Sequence, residues 1–403
     1  MLDSHVPLPF PYRLINSIGN ILTTAKLPIV QLNEDIAHKA AMKLVNLTDF
    51  GDPYYQEGLT QLIKSFKKDV NLNFMGRLRA RERITDFLVC RLLMTEARKQ
   101  TSHIFNKPLI PPIIIMGMFR TGSTLLHRLL AADPANRAIP LWELSCPFPR
   151  SPDNRRDTIE KQVNIIRSLI PDFDTKHFLH ADEPEECAIL LGKTFISTTF
   201  WNIATIHGYI DWYLQQDHVK KYQEYRWMLQ YYQSEYPTRR LTLKSPEHTG
   251  SLTELLQSIP NALIIQTHRD PTQCINSYNS LLYSEQMPST DNLDVKKMAE
   301  TTLRMMSSEV KRNLAAREKY PDKVFDVQYE QLVTDPIGTV KGIYNHFGLT
   351  WSEEYERVLN DYLQKNPKGK HGTHRYCSTD FGLTDAEIAE QFVAYSEKFG
   401  FTK

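Results

Sequence analysis

A glycine turn between a β-branched run and a leucine-rich stretch is the part of this 403-residue chain best suited to chemistry. Residues 113–115 are three isoleucines, typical of a strand buried on both faces, and the leucines of residues 125–130 recur at helical spacing. The first backbone N–H groups of such a helix have no intrahelical partner and lie at the positive end of its dipole. The turn therefore predicts an anion site formed by Thr121, Gly122, Ser123, Thr124 and Leu125.

The residues of the turn argue against a nucleotide triphosphatase. Gly117 and Gly122 have the spacing of the GxxxxGK[ST] loop, but Ser123 stands where that loop has its lysine. A P-loop kinase would thus lack its main γ-phosphate contact. The cation lies inside the loop as Arg120, whose guanidinium can fork onto phosphate or sulfonate oxygens.

A second strand-to-helix junction follows at residues 261–278. Its apolar strand ends at Arg269, and Ser277 comes eight residues later on the predicted helix. The guanidinium and the hydroxyl can converge on one dianionic group. Taken alone, Arg269 could open an ordinary helix and Ser277 could be solvated, but the coincidence with the first motif favours a binding site.

Residues 119–126, Phe-Arg-Thr-Gly-Ser-Thr-Leu-Leu, resemble the 5′-phosphosulfate loop of sulfotransferases that use 3′-phosphoadenosine 5′-phosphosulfate (PAPS), in the branch with arginine. Residues 261–278 resemble the 3′-phosphate site of that family, and residues 323–336 resemble its strand followed by Tyr-Glu-x-Leu. The resemblance covers roughly residues 110–400, and it is to bacterial small-molecule and tyrosylprotein sulfotransferases. It implies an α/β fold with a P-loop-type parallel sheet flanked by helices, PAPS as donor, PAP as product and no metal.

Lys244 ends a short predicted strand that begins at Arg240. Because ligands sit outside the carboxyl ends of strands in open α/β sheets, Lys244 is expected in the same crevice as Arg120 and Arg269. The alternative is a surface lysine in a loop. The resemblance implies that Lys244 stabilises the transferring sulfuryl group while Arg120 and the loop amides hold the 5′-phosphosulfate.

Two residues are candidates for the general base that takes the acceptor's proton. Glu143 lies after the phosphate-loop helix, where the resembling families carry a glutamate base. His180 can take a proton near neutral pH, and cytosolic members of the broader family use a histidine. The acidic residues that follow it, 182–186, also resemble a helix start, with Asp182 as N-cap. Both candidates stay open.

The stretch of residues 368–383 combines glycine, basic and aromatic residues. Cytosolic sulfotransferases close over the 3′-phosphate with an Arg-Lys-Gly loop, which is absent here. Arg375, helped by Tyr376 or Lys370, is the predicted replacement, and a solvated surface loop is the alternative.

The mechanism implied is in-line transfer of a sulfuryl group to an acceptor oxygen or nitrogen, driven by positioning and charge stabilisation. The alternatives are a P-loop small-molecule kinase and a non-catalytic protein that binds adenosine bisphosphate. Eleven aromatic residues between 195 and 232 favour a small organic acceptor, although such a run is more often ordinary core.

The chain is expected to form two regions. Residues 1–108 form a helical N-terminal region packed on the core, with periodic stretches at 33–47, 55–67 and 75–100. Residues 109–403 form the α/β domain, with a helical insertion at about 157–236. Strand–helix units near 113, 240, 262 and 323 predict a parallel sheet.

The overall composition excludes some classes of partner. A net charge of +1 gives no global attraction to nucleic acid or to an anionic membrane. Five cysteines without metal or CxxC spacing predict reduced thiols and an intracellular compartment. No 18 apolar residues run together and no signal peptide is recognisable, so we expect a cytoplasmic protein without a transmembrane segment. Whether it forms a homo-oligomer stays open.

Overall fold

A parallel sheet lies at the centre of the computed structural model, which describes residues 8–24, 30–150, 152–170, 173–366 and 377–401. Five strands form it in the order β2-β3-β1-β4-β5, and every pair is parallel. The strands are β1 (Ile113–Gly117), β2 (Asn136–Ala138), β3 (Arg240–Lys244), β4 (Leu263–His268) and β5 (Val324–Gln328). The predicted α/β fold with a parallel sheet is confirmed.

Helices surround the sheet and supply most of the mass. Those within the described residues are α1 (Phe10–Thr24), α2 (Glu34–Val45), α3 (Tyr55–Lys68), α4 (Phe74–Gln100), α5 (Ser123–Ala131), α6 (Leu141–Ser145), α7 (Arg155–Leu169), α8 (Phe173–Lys176), α9 (Ala188–Gly192), α10 (His207–Tyr213), α11 (Val219–Glu235), α12 (Leu252–Ser258), α13 (Pro271–Gln286), α14 (Val295–Lys319), α15 (Tyr329–Thr334), α16 (Pro336–Phe347), α17 (Glu353–Lys365), α18 (Asp385–Gln391) and α19 (Val393–Phe399).

The central strand is buried on both faces, as its isoleucine run predicts. Ile113 and Ile115 pack into an apolar cluster with the leucines of α5 and with α16. Ile114 and Met116 point the other way, into a cluster with α11 and α12. Alternate side chains of one strand thus hold two helical layers, which fixes the sheet in the middle of the domain.

The strand order reverses at β1. The chain passes from β1 to β2 and β3 on one side of the sheet, and then crosses to β4 and β5 on the other. In open α/β sheets the crevice at such a switch point is the usual ligand site. The residues that end the three central strands here are Gly117, Lys244 and His268.

The N-terminal helices pack directly on the α/β part. α2, α3 and α4 lie close to the periodic stretches expected from the sequence, whereas α1 was not predicted. Arg91 of α4 donates to both carboxylate oxygens of Glu224 in α11, at 2.6 and 2.9 Å, and both side chains are buried. The predicted division near residue 108 stays a prediction.

The aromatic run of residues 195–232 contributes to the core, as the sequence favours over an acceptor lining. Five of its tyrosines are fully buried: Tyr209, Tyr213, Tyr222, Tyr225 and Tyr232. They pack with the helices of the segment that was predicted as a helical insertion, of which α7 to α11 are described. The ordinary-core interpretation therefore holds for these five residues.

Among the described residues, none of the helices combines the length and the apolar character needed to cross a membrane.

Candidate active site

The turn after β1 has the backbone geometry of an anion-binding loop. Gly117 and Gly122 have φ values of +138° and +84°, which L side chains rarely adopt. Arg120 has a φ of +70°, a strained conformation that concentrates at ligand sites. The first intrahelical bond of α5 runs from the N–H of Leu126 to the carbonyl of Gly122, at 3.2 Å. The N–H groups of residues 123–125 therefore remain at the helix end, where an anion binds.

Replacing Gly122 by alanine is expected to destabilise the protein by about 2–3 kcal/mol. Positive φ alone costs about 1 kcal/mol. The added Cβ would also lie 2.9 Å from Cδ2 of Tyr329, an overpacked contact. Gly348→Ala is the matched control, since its φ is +63° and a Cβ there would meet nothing within 4 Å. Urea denaturation should show the larger loss for Gly122→Ala, and equal losses would contradict the proposed crowding.

The two predicted anion motifs interlock. Nη1 of Arg269 donates to the carbonyl oxygen of Arg120 at 3.1 Å, across 149 residues of sequence. Nε of Arg120 in turn donates to Oγ of Ser277 at 3.0 Å, and its Nη1 donates to the carbonyl of Lys176 at 2.9 Å. The resemblance places Arg120 and Ser277 at opposite ends of a donor, whereas in the structure their side chains are hydrogen-bonded to each other. The structure brings all three predicted residues together, while their binding roles remain a prediction.

Tyr329 supports this arrangement and was missed in the sequence. The guanidinium of Arg269 lies 4.1 Å from the centre of its ring, and the same ring borders Gly122. Gln273, one turn into α13, accepts from Nη2 of Arg269 at 2.8 Å. The resemblance at residues 323–336 gives Tyr329 no role in binding, but the structure places its ring against Arg269, a predicted ligand of the 3′-phosphate.

Lys244 lies at the carboxyl end of β3, as predicted. The residue pairs with Ile115 of β1, and its side chain is only 1% exposed. Nζ donates to Oε1 of Glu186 at 2.7 Å, and Glu186 is 23% exposed. A buried ammonium and a carboxylate that solvent can reach thus meet beside the anion loop.

A second ion pair lies next to this one. Nε2 of His177 and Oε2 of Glu185 are 3.1 Å apart, and Oε1 of Glu185 accepts from the N–H of Glu186 at 2.8 Å. Burial opposes the charge on both groups, but their mutual attraction outweighs it. The pKa of His177 is therefore raised and that of Glu185 is lowered. The pair holds the backbone that carries Glu186.

Glu285 of α13 is a third acidic residue in this region, with Glu185 and Glu186. Burial raises the pKa of its carboxyl to about 7, against the opposing charges of His177 and Arg79. Its Oε2 is buried and has no hydrogen-bond partner among the described residues. A carboxyl that changes charge near neutral pH thus lies close to Glu186.

The structure does not bring Glu143 to this group. Both of its carboxylate oxygens accept from Nη2 of Arg137 at 2.6 Å, and the Arg137 guanidinium lies 4.3 Å from the Tyr236 ring centre. Arg137 pairs with Leu241, three residues before Lys244, which is about 10 Å at the usual strand rise. Glu143 has a structural partner there, and its role as base stays an untested prediction.

In the described part of the chain, the His180 side chain contacts residues of its own loop. Its Nδ1 accepts from the N–H of Asp182 at 3.2 Å, and its ring stacks with Phe178 at a centroid distance of 6.5 Å. Neither contact involves the anion loop or Lys244. The alternative interpretation of residues 182–186 as a helix start is wrong, because α9 begins only at Ala188. That loop instead presents Glu185 and Glu186 to the strand end.

Arg375, Tyr376 and Lys370, the predicted cap over the cofactor, lie outside the described residues. In the part of the chain that the structure describes, no group of three or more His, Cys, Asp or Glu side chains is placed to hold a metal ion. The expectation that no metal takes part stays a prediction.

Residues 111–353, more than half of the chain, match the family model described as the sulfotransferase family. A curated relative is the omega-hydroxy-beta-dihydromenaquinone-9 sulfotransferase Stf3 of Mycobacterium bovis. It is 27% identical over 291 residues, which cover 70% of this chain and 74% of the relative.

Two solved structures are similar over nearly the whole chain. The sulfotransferase STF1 of Mycobacterium tuberculosis H37Rv is 32% identical with a TM-score of 0.80, and the match covers 91% of this chain and 99% of STF1. STF9 of Mycobacterium avium is 23% identical with a TM-score of 0.81, covering 92% and 97%, and this likeness shows a shared fold.

Proposed function

Because this chain belongs to the sulfotransferase family and is a sulfotransferase, we propose that its donor is PAPS and that its acceptor is a small organic molecule. The observation that carries the donor assignment is the contact of Arg269 and Ser277 with Arg120 at the mouth of the anion loop. A donor with anionic groups at both its 5′ and its 3′ positions needs two such cationic motifs side by side.

Each end of the donor has its own group of ligands. The N–H groups of residues 121–125 and the Arg120 guanidinium would hold the 5′-phosphosulfate at the α5 N-terminus. Arg269 and Ser277 would hold the 3′-phosphate. In the structure, Arg120 donates to Ser277 and to the carbonyl of Lys176. When the donor binds, its oxygens would replace these two groups as acceptors.

Glu186 is the general base that the geometry favours. Its carboxylate is reachable by solvent and lies 2.7 Å from Lys244, which itself ends the strand beside the anion loop. In the transfer, the acceptor oxygen forms a bond to sulfur while the bond from sulfur to the bridging oxygen breaks. The acceptor's proton passes to Glu186, and the Lys244 ammonium offsets the charge that develops on the leaving PAP.

The acceptor group is a hydroxyl on an amphiphilic molecule in this proposal. The curated relative is named for a hydroxylated menaquinone derivative, whose bulk is apolar. The buried tyrosines of residues 209–232 are not available to line a separate aromatic pocket. A nitrogen acceptor stays as the alternative.

A cytoplasmic location is part of the proposal. All five cysteines are free thiols in the structure, and reduced thiols persist in a reducing compartment.

Replacing Arg269 by alanine is expected to weaken PAP binding by roughly 10- to 100-fold, the usual worth of a hydrogen bond to a charged group. Isothermal titration calorimetry with PAP measures this directly and needs no acceptor. Arg304→Ala is the control, because Arg304 pairs with Asp211 on the exposed side of α14. An affinity for PAP equal to that of the wild type in Arg269→Ala would show that Arg269 is not part of the donor site.

The function itself is tested by incubating cell extract with the pure protein and 35S-labelled PAPS, followed by mass spectrometry. We expect the label in one compound or in one class of compounds. Tight PAP binding without any transfer of label would instead identify a non-catalytic adenosine-bisphosphate-binding protein.

A further inference from the structure

Helix α1 is amphipathic with its apolar side turned outward. Large apolar side chains at four successive positions along one face are 47–68% exposed, and Ile15 beside them is 40% exposed. The four are Phe10, Leu14, Ile18 and Ile21. A surface helix normally buries this side, so the arrangement is the reverse of the usual one.

The polar side of α1 attaches it to the rest of the protein. Oδ1 of Asn16 accepts from the N–H of Met75 at 2.9 Å, and Oδ1 of Asn20 accepts from Nη2 of Arg77 at 3.2 Å, both at the start of α4. Gly19 lies against the Phe74 ring so closely that a Cβ there would sit 2.1 Å from it. Hydrogen bonds and this close contact therefore fix the helix, and its apolar stripe is left outside.

α1 also contacts α7, the helix that precedes the segment leading to the anion loop. The hydroxyl groups of Tyr12 and of Ser168 in α7 share a hydrogen bond of 2.6 Å, and Ile165, one turn earlier in α7, is 47% exposed. The chain after α7 leads to Lys176, whose carbonyl accepts from Arg120 and whose Nζ donates to Ser284 at 2.5 Å. Ser168, which contacts α1, and Lys176, which contacts the anion loop, are thus eight residues apart in sequence.

We propose that this stripe, formed by Phe10, Leu14, Ile15, Ile18 and Ile21, docks on the surface of a phospholipid bilayer. The helix then lies in the interface and brings the catalytic site to an acceptor held in the lipid. The access to an acceptor held in the lipid rests on the proposed function, whereas the docking of the stripe on the bilayer does not.

Area and charge favour a bilayer over a second copy of the chain. The five side chains expose on the order of 500 Å² of apolar surface, a large patch for a monomer but short of the roughly 800 Å² per partner of a stable interface. α1 carries one cation, Arg13, and no carboxylate, so the helix itself adds no negative charge that lipid phosphates would repel. Its 15 residues are fewer than the roughly 20 that cross a bilayer, so the helix would lie on the membrane.

The net charge of +1 offers no general attraction to anionic lipid, so binding should depend mainly on apolar contact. We therefore expect the full chain to sediment with sucrose-loaded vesicles of pure phosphatidylcholine. Leu14→Ser combined with Ile18→Ser should lower the partition coefficient at least 10-fold. The matched control is Ile36→Ser with Leu44→Ser on α2, whose side chains are 40 and 57% exposed, against 47 and 50% for Leu14 and Ile18. The control should change binding less than 2-fold.

Both pairs lie at exposed positions, and thermal melts by circular dichroism establish that the variants fold. Absence of wild-type sedimentation, or an equal loss in both pairs, would overturn the docking proposal. So would a dimer in analytical ultracentrifugation that only the Leu14/Ile18 variant dissociates, since the stripe would then bind a second copy. PAP affinity should be unchanged in the variant. Vesicle binding by a wild type that does not bind PAP would refute the proposed function and leave the docking intact.

Discussion

Replacing Glu186 by glutamine is expected to lower turnover about 1,000-fold, within the 10²- to 10⁴-fold range for loss of a general base. The amide keeps the size of the side chain and can still accept a hydrogen bond from Lys244, so the variant should fold with its donor site intact. Its stability should be lower, because the buried ammonium loses its counter-charge. Turnover is measured with the acceptor identified by the labelling experiment, and PAP affinity by calorimetry. The expected pattern is a large loss in kcat with PAP affinity changed less than about 3-fold, because the effect lies in proton removal.

The same measurement separates the three candidate bases. Glu143→Gln should lower stability, because it removes the charge that pairs with the buried Arg137 guanidinium, and should leave kcat of the folded fraction near the wild-type value. His180→Gln should also leave kcat near that value, since the contacts of the ring among the described residues are with Phe178 and Asp182 of its own loop. A loss of kcat in either variant that matched or exceeded the loss in Glu186→Gln would transfer the role to that residue.

Replacing Lys244 by methionine is expected to lower turnover by about 100- to 1,000-fold, the scale of losing one donor that stabilises charge in a transition state. Methionine fills the buried volume of the lysine stem but cannot offset negative charge on the leaving phosphate. Because this charge develops mainly in the transition state, kcat should fall much more than PAP affinity.

A double variant tests whether Lys244 acts through Glu186. If the lysine only positioned the carboxylate, Lys244→Met would add little to Glu186→Gln. Separate roles in charge stabilisation and proton removal predict that the double variant loses more than either single variant. Wild-type turnover in Lys244→Met would remove the lysine from the mechanism altogether.

The local features of the donor site were readable from the sequence because each is formed by neighbouring residues. A strand, a glycine turn and a helix that follow one another must place the first helical N–H groups at the turn, whatever the rest of the chain does. Arg269 and Ser277 are likewise fixed relative to each other by the short α13 segment between them. The parallel sheet followed from the alternation of strands and helices.

Contacts between distant segments could not be read in this way. Glu186 and Lys244 are 58 residues apart, and the acidic run before Cys187 has the composition of a helix start. Only the passage of that loop across the end of β3 makes Glu186 a partner of the lysine. The contact of Tyr329 with Arg269 and the outward orientation of the α1 stripe also depend on the packing of distant segments, so the sequence does not reveal them. In α1, the periodicity of the helix does not tell which of its two faces the protein covers.

For this protein, the sequence by itself determined the fold class, the anion loop and the two cationic motifs, since these depend on chain neighbours and on local backbone geometry. The tertiary structure decided which carboxylate meets Lys244, that Glu143 is instead paired with Arg137, and that Arg120, Arg269 and Ser277 are in direct contact. The physical reason is that pairing of charges depends on distances in space, and the sheet order and the loop paths that set those distances are properties of the whole packed chain.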